Sequence, residues 1–468
     1  MKNRPKSNQQ ETAKDGTNSK QKKRRDMSCQ ERVQLLQRKL YLKAKQEKGY
    51  KFYILYDKVF LDYVLKESWK RVRRNGGVAG VDGVNFKEIE GVGVSKFLFE
   101  LKEDLRKQTY RSQAVKRVLI PKGNGKTRPL GIPTIRDRVA QMACKIVIEP
   151  LFEADFSPDS YGFRPKRSAW GAIREIKEEL KSGKTEVYDA DLSKYFDTIP
   201  HDKLEIALRE RIIDKRIIDL IKKWLRSPVE GDDGQHRGGR KVKVGRPQGG
   251  VISPLLSNIY LNLLDRIVSN PKSLFAQEGI RIIRYADDFV LMGSQLSESV
   301  KSKLKELLGR MDLGLNEEKS HQLNAKQERF DFLGFTISYD RCIYHPEWKR
   351  YWNVQPSDKS MVKIREKIRT YLKKSGHFPP EQVSTDLNTI IRGWLNYFEI
   401  TGVSYPKVAK RKLSYYLYDR LNRYYNRKSQ RRSRLYGQQA FEKLVQRYGL
   451  IDPTKFRKRL IVKASEER

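Results

Sequence analysis

Between about residues 29 and 75, apolar residues recur at the spacing of one face of a helix. The pattern predicts a helix over about 29–47, capped by Ser28, and a second helix that ends at a glycine-rich turn. The apolar faces that predict them are Val33, Leu36 and Leu40 in the first helix and Phe60, Val64, Trp69 and Val72 in the second. Residues 1–27 are polar and basic and have no apolar face, so we predict a disordered arm there.

The pattern changes from about 110 to 340 to short β-type runs between Gly and Pro turns, which is typical of an α+β domain. Residues 185–192 alternate as a strand, and residues 282–291 form two strand-like runs joined by a tight turn. Beyond His345 the chain becomes helical, basic and rich in Tyr and Trp. The pattern therefore predicts an α+β block that is followed by a helical block.

The charge balance of the chain, which has 468 residues, is strongly positive. There are 98 Lys and Arg residues against 57 Asp and Glu residues, which gives a formal net charge of +41 at pH 7. Nucleic acid fits this excess better than a membrane surface or an acidic protein does, because the charge is spread along the whole chain. The alternative is a basic surface that only keeps the protein soluble.

The three cysteines, Cys29, Cys144 and Cys342, lie far apart and form no C-x-x-C pair. This spacing excludes a disulfide framework and a zinc ribbon, and it favours a reducing intracellular compartment. No run approaches the roughly eighteen consecutive apolar residues that a membrane span needs, and no apolar segment follows the basic N-terminus. We therefore expect a soluble, cytosolic protein that does not span a membrane.

Acidic residues interrupt the predicted strands at two places. Strand alternation puts Asp189 and Asp191 on one face, and the tight turn presents Asp287 and Asp288. Each feature alone has an ordinary explanation, such as a solvated turn or a surface acid. Together they suit a two-magnesium site, because Mg²⁺ takes oxygen ligands and two such ions promote in-line phosphoryl displacement.

The order of the motifs identifies the family that the chain resembles. The tetrapeptide Y-A-D-D at 285–288 resembles the Y-x-D-D signature of reverse transcriptases, and residues 191–197 resemble their first catalytic motif. More specifically, the chain resembles the reverse transcriptase/maturases that group II introns encode, over about residues 55–430. The other similar segments, in the expected order, are 80–84, 120–122 with 127–133, 161–165, 247–254, 315–319, 332–335 and 391–398.

The resemblance implies an α+β fold of the right-hand polymerase type. It would have fingers and a palm, built from an antiparallel palm sheet and helices, followed by an α-helical thumb. The expected segments are 1–27, a disordered basic arm; 28–110, N-terminal helices with the family's N-terminal extension; 111–340, the fingers and palm; 341–430, the helical thumb or maturase domain; and 431–468, a basic extension that contacts DNA or RNA.

The resemblance also implies roles for the acids. Asp191 and Asp287 would ligate two Mg²⁺ ions directly, with the Leu192 carbonyl as a neutral ligand, and Mn²⁺ could replace Mg²⁺. Asp288 would lie next to the metals and bind less directly. Asp189 is not among the family's acids, and its role is left open.

Five further residues would meet the incoming dNTP. Lys122 and Arg128 match the pair that grips the triphosphate, although a solvated basic hairpin is the alternative reading. The Phe196 ring would leave no room for a 2′-hydroxyl, unless it only packs in the core. Gln248 would contact the nascent base pair or the template, and Lys319 would protonate the pyrophosphate leaving group.

Basic and aromatic residues of the C-terminal third are expected to bind RNA. A surface that mixes positive charge with rings can hold both the backbone and the bases of a strand. The residues are Arg392, Trp394, Lys410, Arg411 and Lys412. Trp394 can equally well be a core residue of the thumb.

The resemblance therefore implies an RNA-directed DNA polymerase encoded by a group II intron. The protein would also bind the intron RNA as a maturase, and it would support intron mobility by reverse transcription after the RNA inserts into DNA. Its partners would be intron RNA, an RNA template with a DNA primer, target DNA and dNTPs, in a bacterial-type cytoplasm or in an organelle. No H-N-H endonuclease domain is expected, because the chain has no paired C-x-x-C zinc sites.

Two alternatives to this function stay open. The first is a domesticated reverse transcriptase that acts in defence, spacer acquisition or DNA repair. The second is an RNA-binding splicing cofactor without polymerase activity, which the complete set of acids at 191, 287 and 288 disfavours.

Overall fold

The structure is a computed structural model. It describes residues 27–121, 127–193, 195–231, 236–237, 244, 249–342, 350–427 and 433–457. Nearly all of the arm predicted over 1–27 lies outside the described residues.

The strands of the described residues form three sheets. Their bounds are β1 Val115–Pro121, β2 Thr127–Ile132, β3 Glu186–Asp191, β4 Val229–Glu230, β5 His236–Arg237, β6 Arg281–Tyr285, β7 Asp288–Gly293, β8 His321–Asn324, β9 Phe330–Phe332, β10 Phe335–Asp340 and β11 Tyr351–Pro356. The N-terminal sheet has the order β2-β1-β4-β5, the central sheet β6-β7-β3-β8 and the small sheet β11-β10-β9. All neighbours in the central sheet are antiparallel.

Helices surround these sheets. Their bounds are α1 Cys29–Gln46, α2 Tyr56–Val59, α3 Asp62–Asn75, α4 Phe86–Val92, α5 Val94–Arg106, α6 Ile135–Glu153, α7 Ala169–Lys181, α8 Tyr195–Thr198, α9 His201–Arg209, α10 Lys215–Leu225, α11 Ser253–Val268, α12 Leu274–Gln277, α13 Glu298–Arg310, α14 Asp358–Lys374, α15 Pro380–Phe398, α16 Lys407–Tyr425 and α17 Ala440–Tyr448. Helices α14–α17 are called the C-terminal helices below.

Both helices that the apolar pattern predicts near the N-terminus are present, as α1 and α3. Ser28 and Glu31 form a capping box, in which the Ser28 hydroxyl accepts from the Glu31 amide at 3.3 Å. The Glu31 carboxylate accepts in return from the Ser28 amide at 2.8 Å. Helix α3 ends at Gly76, whose φ of 64° is favourable for glycine and strained for most other residues.

The central sheet lies between two hydrophobic cores because its strands alternate. Tyr188 and Ala190 of β3 face the first core, which contains the N-terminal helices together with α6 and α11. Val187 faces the second core, which contains the small sheet and the C-terminal helices. Strand β7 divides its side chains between the two cores in the same way. The sheet is therefore held rigidly from both faces, which is the support that a precise site requires.

The C-terminal part differs from the expected division in two respects. Strand β10 pairs with β11 across the boundary expected at 340, so this sheet joins the two segments. Helix α17 packs against α15 and α16, and its Phe441 and Leu444 are buried in the second core. Residues 433–457 thus belong to the helical bundle and do not form a separate basic extension. Within the described ranges, no helix is long and apolar enough to cross a membrane.

Candidate active site

One end of the central sheet brings the predicted acids together. Strands β3 and β7 pair in antiparallel register, with Asp191 directly opposite Asp288. In the hairpin of β6 and β7, Tyr285 pairs with Asp288, so Ala286 and Asp287 form a two-residue turn. Ala286 has a φ of 60°, in the left-handed region that tight hairpin turns use. Because opposed Cα atoms lie about 5 Å apart, the three acids occupy one small volume.

The acids repel one another in this volume. Burial of its carboxylate, with repulsion from Asp287, Asp191 and Asp189, raises the pKa of Asp288 to about 7. The residue still exposes part of its surface, so solvent can reach it. Burial, with repulsion from Asp191 and Asp331, raises the pKa of Asp189 to about 6. This end of the sheet therefore favours binding of a cation.

The segment 316–320 wraps around Asp191. The Lys319 ammonium donates to the Asp191 carboxylate at 2.5 Å, and this bond is the main reason why the pKa of Lys319 is raised. The Asp191 amide donates to the Ser320 hydroxyl at 3.1 Å. The Asn316 amide donates to the Asp191 carbonyl at 2.8 Å. Asp191 is thus held by backbone and side-chain contacts, and the Lys319 ammonium is paired with its carboxylate.

The donor set suits a hard divalent cation. Carboxylate oxygens are the ligands that Mg²⁺ prefers, and a cation would relieve the repulsion among the acids. Leu192 follows Asp191 and is fixed by a β-bridge to Leu315. In the part of the chain that the structure describes, no group of three His, Cys, Asp or Glu residues is close enough to hold a metal. The residues therefore fit such an ion by their chemistry, but they do not form a closed ligand cage.

Phe196 lies on the short helix α8, beside the acids in sequence. It is partly buried against the first core, and its ring lies edge to face with Tyr195 at a centroid distance of 5.4 Å. The Tyr195 hydroxyl donates to the Ser257 carbonyl at 2.8 Å, which anchors α8 to α11. Phe196 thus packs on one side and remains partly accessible on the other.

Three predicted nucleotide contacts are not among the described side chains. Lys122 and Gln248 lie outside the described residues. The backbone of Arg128 pairs with Ile120 in the β1–β2 ladder, but the Arg128 side chain is not described. The roles of these residues stay predictions.

Two family models match the chain. The model described as "Reverse transcriptase (RNA-dependent DNA polymerase)" matches residues 120–337, and "Group II intron, maturase-specific domain" matches residues 361–441. Protein YkfC of Escherichia coli strain K12 is 38% identical in an alignment 299 residues long, which covers 57% of this chain and 77% of that protein. The chain belongs to the group II intron reverse transcriptase/maturases. The resemblance predicted from the motifs is confirmed.

Two further relatives of this reverse transcriptase/maturase have names that refer to introns. The "Group II intron-encoded protein LtrA" of Lactococcus lactis subsp. cremoris is 28% identical in an alignment 378 residues long, which covers 63% of this chain and 62% of that protein. The "Uncharacterized 91 kDa protein in cob intron" of Schizosaccharomyces pombe is 26% identical in an alignment 432 residues long, which covers 76% of this chain and 52% of that protein. The chain therefore spans between half and two thirds of the length of these two relatives.

The expected RNA-binding residues of this reverse transcriptase/maturase do not share one environment. Arg392, Arg411 and Lys412 are exposed. Trp394 is buried in the second core, with its ring 5.0 Å from that of Phe398. Three of the five expected residues, Arg392, Arg411 and Lys412, are therefore on the surface, whereas Trp394 and Lys410 are buried.

Lys410 is buried, which differs from the expectation that it binds RNA. Its ammonium donates to the Glu399 carboxylate at 2.9 Å and to the Phe456 carbonyl at 3.1 Å. Both partners belong to the C-terminal part of the same chain, so the charge is satisfied internally. The physical reason is that α16 turns this residue toward its neighbours, whereas Arg411 and Lys412 follow on the outer side.

Two residues to which the sequence analysis gave no individual role, Gly162 and Arg284, support the hairpin. Gly162 packs so closely that a Cβ atom there would come within 2.3 Å of the Ala286 amide nitrogen. Arg284, in the middle of an apolar strand, is fully buried, and its partners Asp265 and Asn258 lie on α11. The sequence does contain one indication of this role, which is a charged residue in an apolar strand. A charge that is buried there requires a partner.

Proposed function

We propose that Asp191, Asp287 and Asp288 hold two Mg²⁺ ions at the end of the central sheet, where the chain copies RNA into DNA. The opposition of Asp191 and Asp288 across β3 and β7 carries this proposal. It brings acids from two distant motifs to one place, and their mutual repulsion favours cations. When bound, such ions activate the attacking 3′-hydroxyl and stabilise the leaving oxygen of the phosphoryl transfer.

The chain's own residues would orient the substrates and move a proton. The Lys319 ammonium lies beside Asp191, where it would donate a proton to the pyrophosphate leaving group. The ring of Phe196 would lie against the sugar and exclude a 2′-hydroxyl. Lys122, Arg128 and Gln248 would contact the triphosphate and the nascent base pair.

The arrangement of the sheets supports a right-hand polymerase. We assign the central sheet to the palm, the N-terminal sheet to the fingers and the C-terminal helices to the thumb. Along the chain, the N-terminal sheet begins before the central sheet and the C-terminal helices follow it, which is the order of the family's motifs. The template and the primer would then lie between fingers and thumb, over the acids.

The maturase-specific segment supports a second role in RNA binding. We propose that Arg392, Arg411 and Lys412 contact intron RNA, because all three are exposed on the C-terminal helices. Reverse transcription after insertion of the intron RNA into target DNA would support mobility. Intron RNA and target DNA meet in the cytoplasm of a bacterium, and we propose that the protein acts there.

Replacement of Asp287 by Asn tests the polymerase site. The substitution keeps the shape of the side chain and removes its charge, so extension of a DNA primer on an RNA template should fall by more than about a hundredfold. Binding of the same RNA should stay within about twofold, because the positive surface is unchanged. The measurement is primer extension with dNTPs and Mg²⁺, beside a binding titration.

Asp62→Asn is the matched control, because Asp62 is an exposed acid at the start of α3. It should leave both extension and RNA binding unchanged. If Asp287→Asn keeps its extension rate, the assignment of the site is wrong. If it loses RNA binding together with extension, the acids serve the fold instead.

A further inference from the structure

A charged residue without solvent contact lies two positions before the turn that carries Asp287. Arg284 is the fourth residue of β6, and its surface exposure is 0%. Burial of a guanidinium is costly unless each of its N–H groups is bound. The role of the buried Arg284 can therefore be inferred from the groups that its N–H donors contact.

Asp265 of α11 neutralises the charge. The Arg284 Nε donates to one carboxylate oxygen at 2.8 Å, and Nη2 donates to the other at 2.5 Å. The Asp265 side chain is itself only 1% exposed. Such a buried pair contributes little net stability compared with apolar residues of similar volume, because desolvation offsets the attraction. Fold stability alone therefore does not explain the pair.

The third nitrogen of the fork connects the pair to the turn. Arg284 Nη1 donates to the Ala286 carbonyl at 2.8 Å and to the Asn258 side-chain oxygen at 3.0 Å. Ala286 is the first residue of the two-residue turn and has the left-handed φ of 60°. The peptide group that accepts this bond is the one that joins Ala286 to Asp287. The guanidinium thus contacts the backbone immediately before the acid.

The loop 159–162 closes the other side of the turn. The Asn258 amide donates to the Gly162 carbonyl at 2.8 Å, so one residue contacts both the guanidinium and the loop. The Tyr161 amide donates to the Arg284 carbonyl at 2.8 Å. Gly162 lies against the Ala286 amide nitrogen with no space for a Cβ atom. The turn is therefore clamped between this loop and α11.

We propose that Arg284, with Asp265 and Asn258, is a positioning residue that holds the Ala286–Asp287 turn in the geometry required for polymerisation. The inference rests on the proposed function of Asp287. A guanidinium fork suits this role because its donors are fixed in one plane, so that binding Asp265 with two of them aims the third at the turn. A misplacement of about 1 Å at a reacting group is enough to slow a reaction about a hundredfold.

The double variant R284M/D265L separates positioning from folding. It replaces the buried pair by apolar residues of similar size, a change that folds often tolerate. We expect a cooperative thermal transition and template–primer binding within about twofold of the original protein. In single-turnover primer extension, the maximal rate should fall by at least about tenfold, while the dNTP concentration at half-maximal rate changes by less than about threefold. General destabilisation would not be expected to lower the maximal rate of the folded protein while leaving binding of the template–primer and of dNTP nearly unchanged.

The matched control is R211M/D155L. Arg211 is also buried, and it binds the partly buried Asp155 at two points, with both N–O distances at 2.5 Å. Arg211 also donates to the carbonyls of Ala44, Glu47 and Tyr50. None of these partners belongs to the hairpin. The control should show a comparable change in thermal stability, with the maximal rate per folded molecule unchanged.

Asn258→Ala provides a second test if R284M/D265L does not fold. It removes the link between the fork and the loop without exposing a charge, and it should lower the maximal rate by about fivefold or more in a folded protein. The proposal is overturned if either folded variant extends primers at the original rate, or if the control loses rate equally. Failure of the proposed function would look different, because the unaltered protein would then extend no primer and Asp287→Asn would have no effect.

Discussion

At the scale of single residues, the acids at the end of the central sheet are held close together despite their repulsion. Asp191 is restrained by Asn316, Ser320 and Lys319, and Asp288 is restrained by the ladder that places it opposite. The raised pKa of Asp288 expresses the burial and repulsion that result. Sites that bind metal ions commonly maintain such unfavourable charge clusters, since the ion supplies the missing positive charge.

Replacement of Phe196 by Ala tests the sugar gate at the same scale. Removal of the ring opens space next to the sugar, so the ratio of ribonucleotide to deoxynucleotide incorporation should rise by about tenfold or more, a difference of about 1.4 kcal/mol. The ratio is measured by primer extension with each nucleotide type under identical conditions.

Phe60→Ala is the control for this substitution. Phe60 is also a partly buried phenylalanine packed against the first core, so its loss should lower stability through a similar cavity. Its loss should not change the choice of sugar. Unchanged sugar discrimination in Phe196→Ala would show that the ring only packs in the core.

At the scale of elements, the hairpin of β6 and β7 depends on contacts that cross the chain. Its strand β7 pairs with β3, its turn contacts Gly162, and its buried arginine contacts α11. A two-stranded hairpin alone is only marginally stable in water. Its precise shape therefore comes from the elements packed around it.

Gly162→Ala tests the close approach of the loop to the hairpin. The new methyl group would lie 2.3 Å from the Ala286 amide nitrogen, so the backbone must move. We expect a loss of about 1–3 kcal/mol in the free energy of unfolding, which is the usual cost of overpacking. The extension rate of the folded fraction should fall by more than about tenfold, because the turn carries Asp287. Chemical denaturation and primer extension measure the two effects.

Gly309→Ala is the control, because Gly309 has space for a methyl group where Gly162 has none. Gly309 lies near the end of α13, and a Cβ atom there would have no neighbour within 4 Å. Alanine should raise the free energy of unfolding by about 0.5–1 kcal/mol through its higher helix propensity, without a change in rate. An equal response of the two glycines would show that the approach at Gly162 has no special role.

At the scale of the whole molecule, the chain combines a net charge of +41 with a small acidic site at the end of the central sheet. Much of the positive charge is exposed and can attract a polyanion from a distance. Part of it is not available for this purpose, as the buried pair of Lys410 and Glu399 shows. The surface that binds RNA is thus smaller than the basic composition suggests.

The double variant R411A/K412A tests the exposed part of this charge. If each side chain contacts one phosphate, the slope of the logarithm of the RNA association constant against the logarithm of salt concentration should decrease by about 1.5–2. Binding should weaken most at low salt. The measurement is a binding titration with intron RNA at several salt concentrations.

Lys410→Met should change the stability of the fold and not the salt dependence of RNA binding. It removes the ammonium that binds the partly buried Glu399 carboxylate, so the free energy of unfolding should fall by about 1–3 kcal/mol. The salt slope of the folded protein should not change, because the Lys410 ammonium is already paired. A decrease of about one in the slope would instead place Lys410 in the RNA contact.

The sequence by itself determined the chemistry and much of the local structure of this protein. The capping box at Ser28, the alternation of β3 and the turn that presents Asp287 all depend on neighbours along the chain, and the structure contains them. The family followed from the order of short motifs. The placement of Asp191 opposite Asp288 was expected only through the resemblance, because strand pairing is a long-range property.

Only the tertiary structure decided which charged residues are buried and what they hold. Lys410 and Arg411 are adjacent and both basic, yet one is bound by Glu399 and the other is exposed. Arg284 contacts Asp265 and Asn258 of α11 and the turn at Ala286 at once. The physical reason is that burial, and the pairing that makes a buried charge tolerable, depend on residues brought together from distant parts of the chain.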